Sequence, residues 1–317
     1  MTTKIFIDGA AGTTGLQIGG RLAGRSDISL LTLAVHERKD ARARAERLNG
    51  ADIVILCLPD DAAREAVSLI ENPAVKVIDA STAHRSDPAW AYGFPELEPD
   101  QPAKIAGAAR VSNPGCYPTG FLALVRPLVR AGLLPADWPV SVNAVSGYSG
   151  GGKGMIAQFE GLDADDRIDS AHHIYGLSLG HKHVGEMQLH AGLTRPPLFA
   201  PAVSRVYSAM LVEVPLPLAA LPGAPSIDTV HAALAQAYEG SPIVSVASRA
   251  QTDAMTRLTL EHVAGTDRME LFVFGSAASG QARLVAALDN LGKGASGAAV
   301  QNLNIMAGLP ETEGLRL

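Results

Sequence analysis

Cys116 is the residue whose surroundings in this sequence best suit covalent chemistry. It lies in VSNPGCYPTG, residues 111–120, between a proline-glycine turn and an apolar run with helical spacing that begins at Phe121. A thiol near the first turn of a helix meets unpaired backbone N–H groups and a partial positive charge, which favour its ionised form. We therefore expect Cys116 to be a nucleophile. A small buried hydrophobic residue is the alternative.

Two histidines in LGHKHVGEMQLH, residues 179–190, could exchange protons with such a thiol. His181 and His183 lie two residues apart, and Glu186 follows three residues later. Imidazole titrates near neutral pH, so either ring could act as the base, and the pattern does not choose between them. A metal site is a weaker interpretation because the HExxH helix spacing is missing, and one of the two histidines could be structural.

Three further polar side chains could bind a substrate. The Asn113 amide and the backbone N–H of the nucleophile could stabilise an oxyanion. Arg85, in DASTAHRSD at the end of the fourth predicted strand, offers a planar fork for a phosphate or carboxylate, with a surface pair to Asp87 as the alternative. Lys153 stands in the glycine-rich stretch SGYSGGGKG, where it could meet an anion.

A glycine-rich turn, DGAAGTTG, follows the first predicted strand and opens a helix. Gly9, Gly12 and Gly15 would allow a tight turn and the close approach of a pyrophosphate to the helix N-terminus, where Thr13 and Thr14 also lie. The spacing is GxxGxxG rather than GxGxxG, so a tight turn that binds no nucleotide is an alternative.

The second predicted strand ends in HERKD, which bears on the choice of cofactor. A lone acidic residue at this place suits the 2′-hydroxyl of NAD, whereas Arg38 and Lys39 beside Glu37 suit the 2′-phosphate of NADP. We predict NADP(H) as the cofactor, with a solvated charge run as the alternative.

Apolar segments that alternate with helix-like segments predict the elements that position these residues. Strand-like runs cover residues 4–8, 29–35, 52–58 and 75–79, with helical patterns between them. Continuous apolar strands separated by helices indicate a parallel sheet covered on both faces. We therefore predict a doubly wound α/β dinucleotide-binding domain of the Rossmann type over residues 1–114, joined by a C-terminal helix at 295–317.

The pattern changes after residue 114. Glycine-rich loops, a longer connection through residues 160–180 and strands near 203–214 and 268–275 indicate a mixed or antiparallel sheet. We predict a second α/β domain over residues 115–294 that serves catalysis, substrate binding and oligomerisation. Cys57, inside the strand-like run DIVILCL, is expected to be buried and inert.

The composition of the chain argues against several classes of function. The 317 residues suit about two domains of roughly 150 each. The formal net charge of −6 and the lack of a Lys/Arg-rich block argue against a nucleic-acid partner. No apolar run approaches the roughly 20 residues that cross a bilayer, and no signal-peptide pattern opens the chain. Two cysteines without CxxC spacing cannot form a disulfide framework, so we expect a cytoplasmic protein without a membrane partner.

Six motifs, in one order over nearly the whole chain, resemble N-acetyl-gamma-glutamyl-phosphate reductase in its short form. They are GAAGTTG, YGFPEL, SNPGCYPTG, SGYSGGGK, GHKHVGEM and GASGAAVQNLNIM. SNPGCY followed by GHKHxxE is specific, whereas many dinucleotide enzymes share the glycine turn. TAHR, GFPE and HKHVGE stand where the longer form usually has ADFR, GLPE and HRHTPE, which favours the short form.

The resemblance implies NADPH-dependent reduction of N-acetyl-gamma-glutamyl phosphate to N-acetylglutamate semialdehyde and phosphate, in arginine biosynthesis. It implies that Cys116 forms a thioester, that Arg85 anchors a substrate anion and that the segment from His181 to His183 lines the active site. It also places Asn302, in the tail motif, among the cofactor-binding residues. Because a second domain of this type often associates through its sheet, we expect a homo-oligomer, a dimer or a tetramer.

The chemistry of an acyl phosphate agrees with this assignment. Such a compound is a good electrophile but a poor direct hydride acceptor, so a thiolate that first displaces the phosphate divides one hard step into two. Two alternatives stay open. One is a related acyl-phosphate reductase such as aspartate-semialdehyde dehydrogenase, and the other is a non-catalytic NADP-binding sensor in which Cys116 is structural.

Overall fold

The computed structural model describes residues 2–38, 40–161 and 165–317 and divides the chain into two units. The first unit is Met1–Gly115 with Ala295–Leu315, and the second is Cys116–Gly294 with Arg316–Leu317. Each unit has its own sheet and its own helices.

Strands and helices alternate through both units, with short 3₁₀ or π turns between some of them. Within the described residues the strands are β1 (Thr3–Asp8), β2 (Ile28–Leu31), β3 (Ile53–Leu56), β4 (Lys76–Asp79), β5 (Ala91–Tyr92), β6 (Arg110–Ser112), β7 (Ser141–Gly147), β8 (His172–Ile174), β9 (Leu198–Ser204), β10 (Met210–Leu216), β11 (Val244–Val246), β12 (Met269–Ser276) and β13 (Gln281–Leu288). The helices are α1 (Thr13–Leu22), α2 (Ala41–Gly50), α3 (Asp60–Ser68), α4 (Gln101–Gly107), α5 (Cys116–Arg130), α6 (Gly152–Glu160), α7 (His183–Ala191), α8 (Ile227–Ala237), α9 (Arg249–Ala254) and α10 (Gly297–Ala307).

The first unit is built on a six-stranded parallel sheet in the order β2-β1-β3-β4-β6-β5. The order reverses at β1, since β2 pairs on one side of it and β3 on the other. Sheets of this kind bind ligands beyond the carboxyl ends of their strands, near such a reversal. This carboxyl edge carries Asp8 at the end of β1, Asp79 at the end of β4 and Ser112 at the end of β6.

Apolar side chains cover both faces of this first sheet. Ile5 of β1 packs in one core cluster with Ile18 of α1 and Leu303 of α10. The next residue, Phe6, points to the opposite face and packs with Leu48 of α2. A strand that is buried on both faces needs no polar alternation, which explains the continuous apolar runs of the sequence.

The second unit is built on a seven-stranded mixed sheet in the order β11-β12-β13-β10-β7-β9-β8. β11 is parallel to β12 and β7 to β9, and the other neighbours are antiparallel. Helix α5 contacts β10, β12 and β13, and its side chains from Tyr117 to Val125 are buried. The predicted fold class is therefore confirmed for both sheets.

Several predicted strands differ in extent; the run at 52–58, for example, forms β3 only over Ile53–Leu56. The run at 29–35 forms a strand only as far as Leu31, because β2 is the edge strand of its sheet and Val35–Glu37 turns into a 3₁₀ helix. The strands predicted near 203–214 are β9 and β10, which are separated by residues 205–209 and pair with opposite sides of β7.

The C-terminal helix is shorter than the predicted 295–317. It ends at Ala307 because Gly308 adopts a left-handed conformation with φ of 68°, and Pro310 follows. Within the described residues, no helix is long and apolar enough to cross a bilayer.

Candidate active site

The turn after β1 is built around Gly9. This residue has φ of 89°, in the left-handed region, and a Cβ on it would lie 2.3 Å from the carbonyl oxygen of Cys57. The backbone N–H of Gly12 donates to the Gly9 carbonyl at 2.9 Å and closes the turn. Only glycine fits position 9, so the fold itself requires the first glycine of the motif.

Helix α1 starts directly after this turn with Thr13 and Thr14. Its N-cap, Gly12, has no side chain to accept from the N–H groups of the first turn, which leaves those groups to water or to an anion. A Cβ on Gly15 would lie 2.4 Å from the Gly9 carbonyl oxygen, whereas a Cβ on Gly12 would lie 3.3 Å from it. Packing therefore requires Gly15, and Gly12 is the glycine that the fold can most easily replace.

A cavity of about 700 Å³ lies beside the glycine turn. Its lining includes Gly9, Gly15, Leu16, Arg38 and Arg44. A cavity of this size next to an uncapped helix N-terminus suits a dinucleotide.

Sequence reasoning missed three charged residues of this cavity, Asp8, Arg44 and Glu65. The guanidinium Nη2 of Arg44 lies 2.9 Å from the buried carboxylate of Asp8. Asp8 could have been found, because it ends the first strand directly before the glycine turn, whereas nothing distinguishes Arg44 from its neighbours in ARARAERLN. Arg38 is exposed, and Lys39, predicted beside it, lies outside the described residues.

Asn113, three residues before the candidate nucleophile, is buried and hydrogen-bonded through its backbone and its side chain. Its backbone N–H donates to the Asp79 carbonyl at 2.7 Å, and its carbonyl accepts from Arg85 Nε at 2.9 Å. The side-chain Nδ2 donates to the Ala295 carbonyl at 3.0 Å, and Oδ1 accepts from Asn302 at 3.1 Å. The amide predicted as an oxyanion donor thus already uses one N–H to fix its own position.

Arg85 is buried, with 8% of its surface exposed. Besides the bond to Asn113, its Nη2 donates to the Ala80 carbonyl at 3.1 Å. The alternative of a surface arginine is therefore wrong. The guanidinium connects the loop after β4 to the end of β6, at the edge where parallel sheets bind ligands.

Asn302 lies in α10 and is fully buried. Its Nδ2 donates to the Gly93 carbonyl at 2.8 Å as well as to Asn113. Among the described residues its Oδ1 has no hydrogen-bond partner, which is unusual for a buried amide oxygen. Such an acceptor fits a ligand N–H group, and the carboxamide of a nicotinamide carries one.

In the second unit, Cys116 is the first residue of α5 and is half-buried. The N-terminus of this fifteen-residue helix favours the thiolate over the thiol. A Cβ on Gly294 would lie 2.9 Å from the Cys116 Cβ, so only glycine leaves the cysteine its room. Gly294 was not predicted as a site residue, although it opens the tail motif GASGAAVQNLNIM.

Two tyrosines, neither of them predicted, belong to the same site. The Tyr175 hydroxyl donates to the Tyr117 hydroxyl at 3.1 Å, and Tyr117 donates to the Ala202 carbonyl at 3.2 Å. Burial, with a smaller contribution from the charge of Cys116, raises the pKa of Tyr175 to about 12. Burial also raises the pKa of Tyr117 well above its usual range. Both hydroxyls stay protonated at neutral pH, so they can donate hydrogen bonds but cannot act as bases.

His181 and His183 lie close to Tyr117. The ring centroid of Tyr117 is 6.2 Å from that of His181 and 5.9 Å from that of His183, and the two imidazoles are 4.7 Å apart. The backbone N–H of His183 donates to His181 Nδ1 at 3.1 Å. Neutral His181 therefore carries its proton on Nε2 and presents an N–H donor there.

The surroundings of His181 hold it in the neutral form. Burial and the neighbouring charge of Lys182 lower the pKa of His181, and Glu186 opposes them in part. His183 is buried at the start of α7, so it is the less accessible of the two.

Lys153 differs from most of the residues above in its exposure. It is exposed at the start of α6, and its side chain makes no hydrogen bond or ion pair with the described part of the chain. Within residues 2–38, 40–161 and 165–317, no three His, Cys, Asp or Glu side chains come together as a metal site.

Two family models match the chain. The model of the semialdehyde dehydrogenase NAD binding domain matches residues 4–105, and that of the semialdehyde dehydrogenase dimerisation domain matches residues 116–290. The N-acetyl-gamma-glutamyl-phosphate reductase of Trichormus variabilis is 56% identical and covers 98% of this chain and 99% of its own. That of Brucella ovis is 56% identical and covers 97% of this chain and 100% of its own.

Solved structures with the same fold are more distant in sequence. Aspartate semialdehyde dehydrogenase II from Vibrio cholerae, complexed with ASA, gives a TM-score of 0.67 at 16% identity over 97% of this chain and 99% of its own. Aspartate semialdehyde dehydrogenase with NADP from Candida albicans gives a TM-score of 0.63 at 14% identity, with the same coverage. These two likenesses concern the fold alone. With 56% identity over almost the whole of both chains, this protein belongs to the N-acetyl-gamma-glutamyl-phosphate reductases of the semialdehyde dehydrogenase family.

Proposed function

We propose that this protein reduces N-acetyl-gamma-glutamyl phosphate to N-acetylglutamate semialdehyde and phosphate with NADPH, in arginine biosynthesis. The observation that carries the proposal is the position of Cys116 as the first residue of α5, in a chain 56% identical to reductases of that name. A cofactor-binding sensor would need no thiol at a helix N-terminus.

Cys116 is the proposed nucleophile of a two-step reaction. Its thiolate attacks the acyl carbon, a C–S bond forms, and the bond from that carbon to the phosphate oxygen breaks with its electron pair on phosphate. A nicotinamide dinucleotide bound in the first unit would supply the hydride that reduces the thioester. The C–S bond then breaks, which frees the aldehyde and restores the thiolate, so Cys116 needs no net proton in a cycle.

His181 is the better candidate of the two histidines for contact with the reacting oxygen. Its Nδ1 already accepts the His183 N–H, and its neutral form presents Nε2–H. We infer that His181 donates to the oxyanion or to the aldehyde oxygen and that His183 orients it. The backbone N–H of Cys116 and the second N–H of the Asn113 amide are the other proposed donors, each contributing about 3 kcal/mol in comparable sites.

The proposed cofactor is NADP(H), held by the turn from Gly9 to Gly15 and by Asn302. Arg38 lines the neighbouring cavity, which supports a 2′-phosphate there, whereas Arg44 lines it but already pairs with Asp8. Titration of NADPH and NADH should show clearly tighter NADPH binding, and Arg38→Ala should narrow the difference. Equal affinities in the unsubstituted protein would exclude this role of Arg38.

Arg85 and Lys153 are the proposed contacts of the substrate anions. Arg85 has the geometric support of a fixed guanidinium at the carboxyl edge of the sheet, whereas Lys153 has only its charge on a glycine-rich turn. Lys cannot reproduce the planar fork of arginine. Arg85→Lys should therefore raise the Michaelis constants for phosphate or for the semialdehyde, and unchanged constants would remove Arg85 from the substrate site.

The second unit is the proposed site of self-association, as a dimer or a tetramer. The family model that matches residues 116–290 describes a dimerisation domain. Light scattering of the purified protein would give the number of copies directly. A thiolate enzyme without a disulfide framework also suits the reducing cytoplasm, which we propose as its location.

A substrate panel tests the proposed function as a whole. We expect NADPH oxidation with N-acetyl-gamma-glutamyl phosphate and, in reverse, NADP reduction with N-acetylglutamate semialdehyde and inorganic phosphate. Preference for aspartate semialdehyde would replace the substrate assignment. Cofactor binding without turnover of either semialdehyde would mean a sensor.

A further inference from the structure

A buried pair, Asp79 and His84, lies at the carboxyl edge of the first sheet and has no part in the mechanism above. Asp79 ends β4 and is fully buried, and its carboxylate accepts from the backbone N–H of Ser81 at 2.9 Å and from the Ser81 hydroxyl at 2.7 Å. His84 Nδ1 lies 2.6 Å from the same carboxylate. An ionised carboxylate only accepts hydrogen bonds, so His84 donates from Nδ1.

Trp90 fixes the plane of the His84 ring. The two rings stack with centroids 4.1 Å apart and 11° between their planes. With Nδ1 bonded to Asp79 and one face on Trp90, the imidazole has a single orientation, which sets the direction of Nε2. A carboxylate that orients an imidazole through Nδ1 is a common way to direct the other nitrogen at a ligand.

The second ring nitrogen of His84 has no partner within the described residues. The side chain contacts Asp79 and Trp90, and only 7% of the residue is exposed. Nε2 itself is not fully enclosed, so water or a ligand can reach it.

We propose that His84 Nε2 donates a hydrogen bond to the phosphate group of the substrate, an inference that rests on the proposed reductase function. Arg85 follows His84 in the same loop, so two basic side chains neighbour each other at the ligand-binding edge of the sheet. The Asp79 carboxylate and the face of Trp90 both favour positive charge beside them. Phosphate oxygens accept hydrogen bonds, and an imidazole that carries a hydrogen on each nitrogen can donate to Asp79 from one and to phosphate from the other.

Two variants separate this contact from a purely structural role. His84→Asn keeps an N–H near the position of Nδ1 and removes Nε2, whereas His84→Gln reaches toward the position of Nε2 and gives up the bond to Asp79. The readout is the reverse reaction with N-acetylglutamate semialdehyde, NADP and varied inorganic phosphate. We expect His84→Asn to raise the KM for phosphate about tenfold or more and to leave the KM for semialdehyde, the Kd for NADP and the Tm nearly unchanged. His84→Gln should raise the KM for phosphate less.

The matched control is the pair of His262 and Glu270, also 2.6 Å apart but partly exposed in the second unit. His262→Asn should change none of these constants. An unchanged KM for phosphate in His84→Asn overturns the proposal, and so does an equal rise in every constant together with a lower Tm.

Failure of the proposed function is a separate outcome. If the unsubstituted protein does not turn over, calorimetric titration of inorganic phosphate into the NADP-loaded protein still tests His84. Tighter phosphate binding to the unsubstituted protein than to His84→Asn supports the contact, whereas equal binding or none refutes it.

Discussion

The two cysteines of this chain are both half-buried, yet their surroundings suit them to opposite roles. Burial raises the pKa of the Cys57 thiol to about 12, and the charges of Asp79 and Asp8 raise it as well. Cys116 stands instead at the N-terminus of α5, where the helix dipole favours a thiolate. Charge and desolvation around the sulfur, rather than the exposure of the residue, thus distinguish a structural thiol from a candidate nucleophile.

The main chain of Cys57 has a role of its own in the cofactor site. Its N–H donates to the Asp8 carbonyl at 2.8 Å, and its carbonyl oxygen faces Gly9, where a Cβ would approach to 2.3 Å. One cysteine therefore shapes the glycine turn through its backbone, and the other is proposed to act through its sulfur.

Replacing the sulfur of each cysteine should give the largest contrast. Cys116→Ser exchanges the thiolate for a hydroxyl of much higher pKa, so turnover should fall roughly 10³-fold or more while NADPH binding and the fold persist. Cys57→Ser should keep most of the activity, because its sulfur touches no step of the reaction. Steady-state kinetics with both substrates, beside circular dichroism, checks the pair, and comparable losses in both variants would erase the distinction.

Replacing His181 and His183 tests which side chain near Cys116 exchanges protons with the reacting groups. His181→Asn removes the Nε2–H donor and should lower turnover by roughly 10²-fold with NADPH binding intact. His183→Asn keeps the backbone N–H that orients His181, so its loss should be smaller. Full activity in both single variants and in the double variant would leave the site without a proton-exchanging histidine.

Two substitutions in the glycine turn beside Cys57, at Gly12 and at Gly9, should have effects of intermediate size. Gly12→Ala adds a Cβ 3.3 Å from the Gly9 carbonyl, which the turn can absorb, but the methyl group lies where a pyrophosphate would approach. We expect NADPH binding to weaken about tenfold with a small change in Tm. Gly9→Ala forces a left-handed φ and a clash with Cys57, so it should lower Tm first. Thermal melts and cofactor titrations of both variants distinguish the two glycines, and a reversed order would mean that Gly12 is a packing residue.

The smallest predicted effect concerns the titration of His181. Lys182 is one of the charges that lower its pKa, so Lys182→Gln should move the NMR titration of the His181 ring toward higher pH, and Lys182→Arg should leave it in place. The pKa of His181 is lower in the native state than in the unfolded state. As pH falls below about 6.5, the unfolded state therefore binds the proton first, and the free energy of unfolding decreases. As the pH is lowered below about 6.5, the Tm of Lys182→Gln should therefore fall less steeply than the Tm of the unsubstituted protein. Equal slopes would show that burial alone sets the shift.

Much of the fold followed from patterns that depend on local sequence. The apolar strands of the first sheet and the glycine turn were predictable because strands buried on both faces read as continuous runs. The position of Cys116 at a helix start was predictable for a different reason, since Pro114 and Gly115 precede an apolar segment with helical spacing. Strand ends were not predictable, because pairing partners decide them, as at β2 and at the turn between β9 and β10.

The missed site residues are those that only tertiary structure brings together. Tyr175 lies 58 residues from Tyr117 in the sequence, and no spacing rule connects their hydroxyls. Arg44 belongs to a polar helix face and meets Asp8 only because α2 covers the first sheet. Gly294 looks like any small residue of the tail until its contact with Cys116 is known.

The acylation of Cys116 tests the central claim most directly. The protein is mixed with N-acetyl-gamma-glutamyl phosphate in the absence of NADPH, quenched in acid and digested for mass spectrometry. We expect the acyl group on the peptide that contains Cys116, its absence from the Cys57 peptide, and its disappearance when NADPH is added. An acyl group on Cys57, or full turnover by Cys116→Ala, would contradict the account.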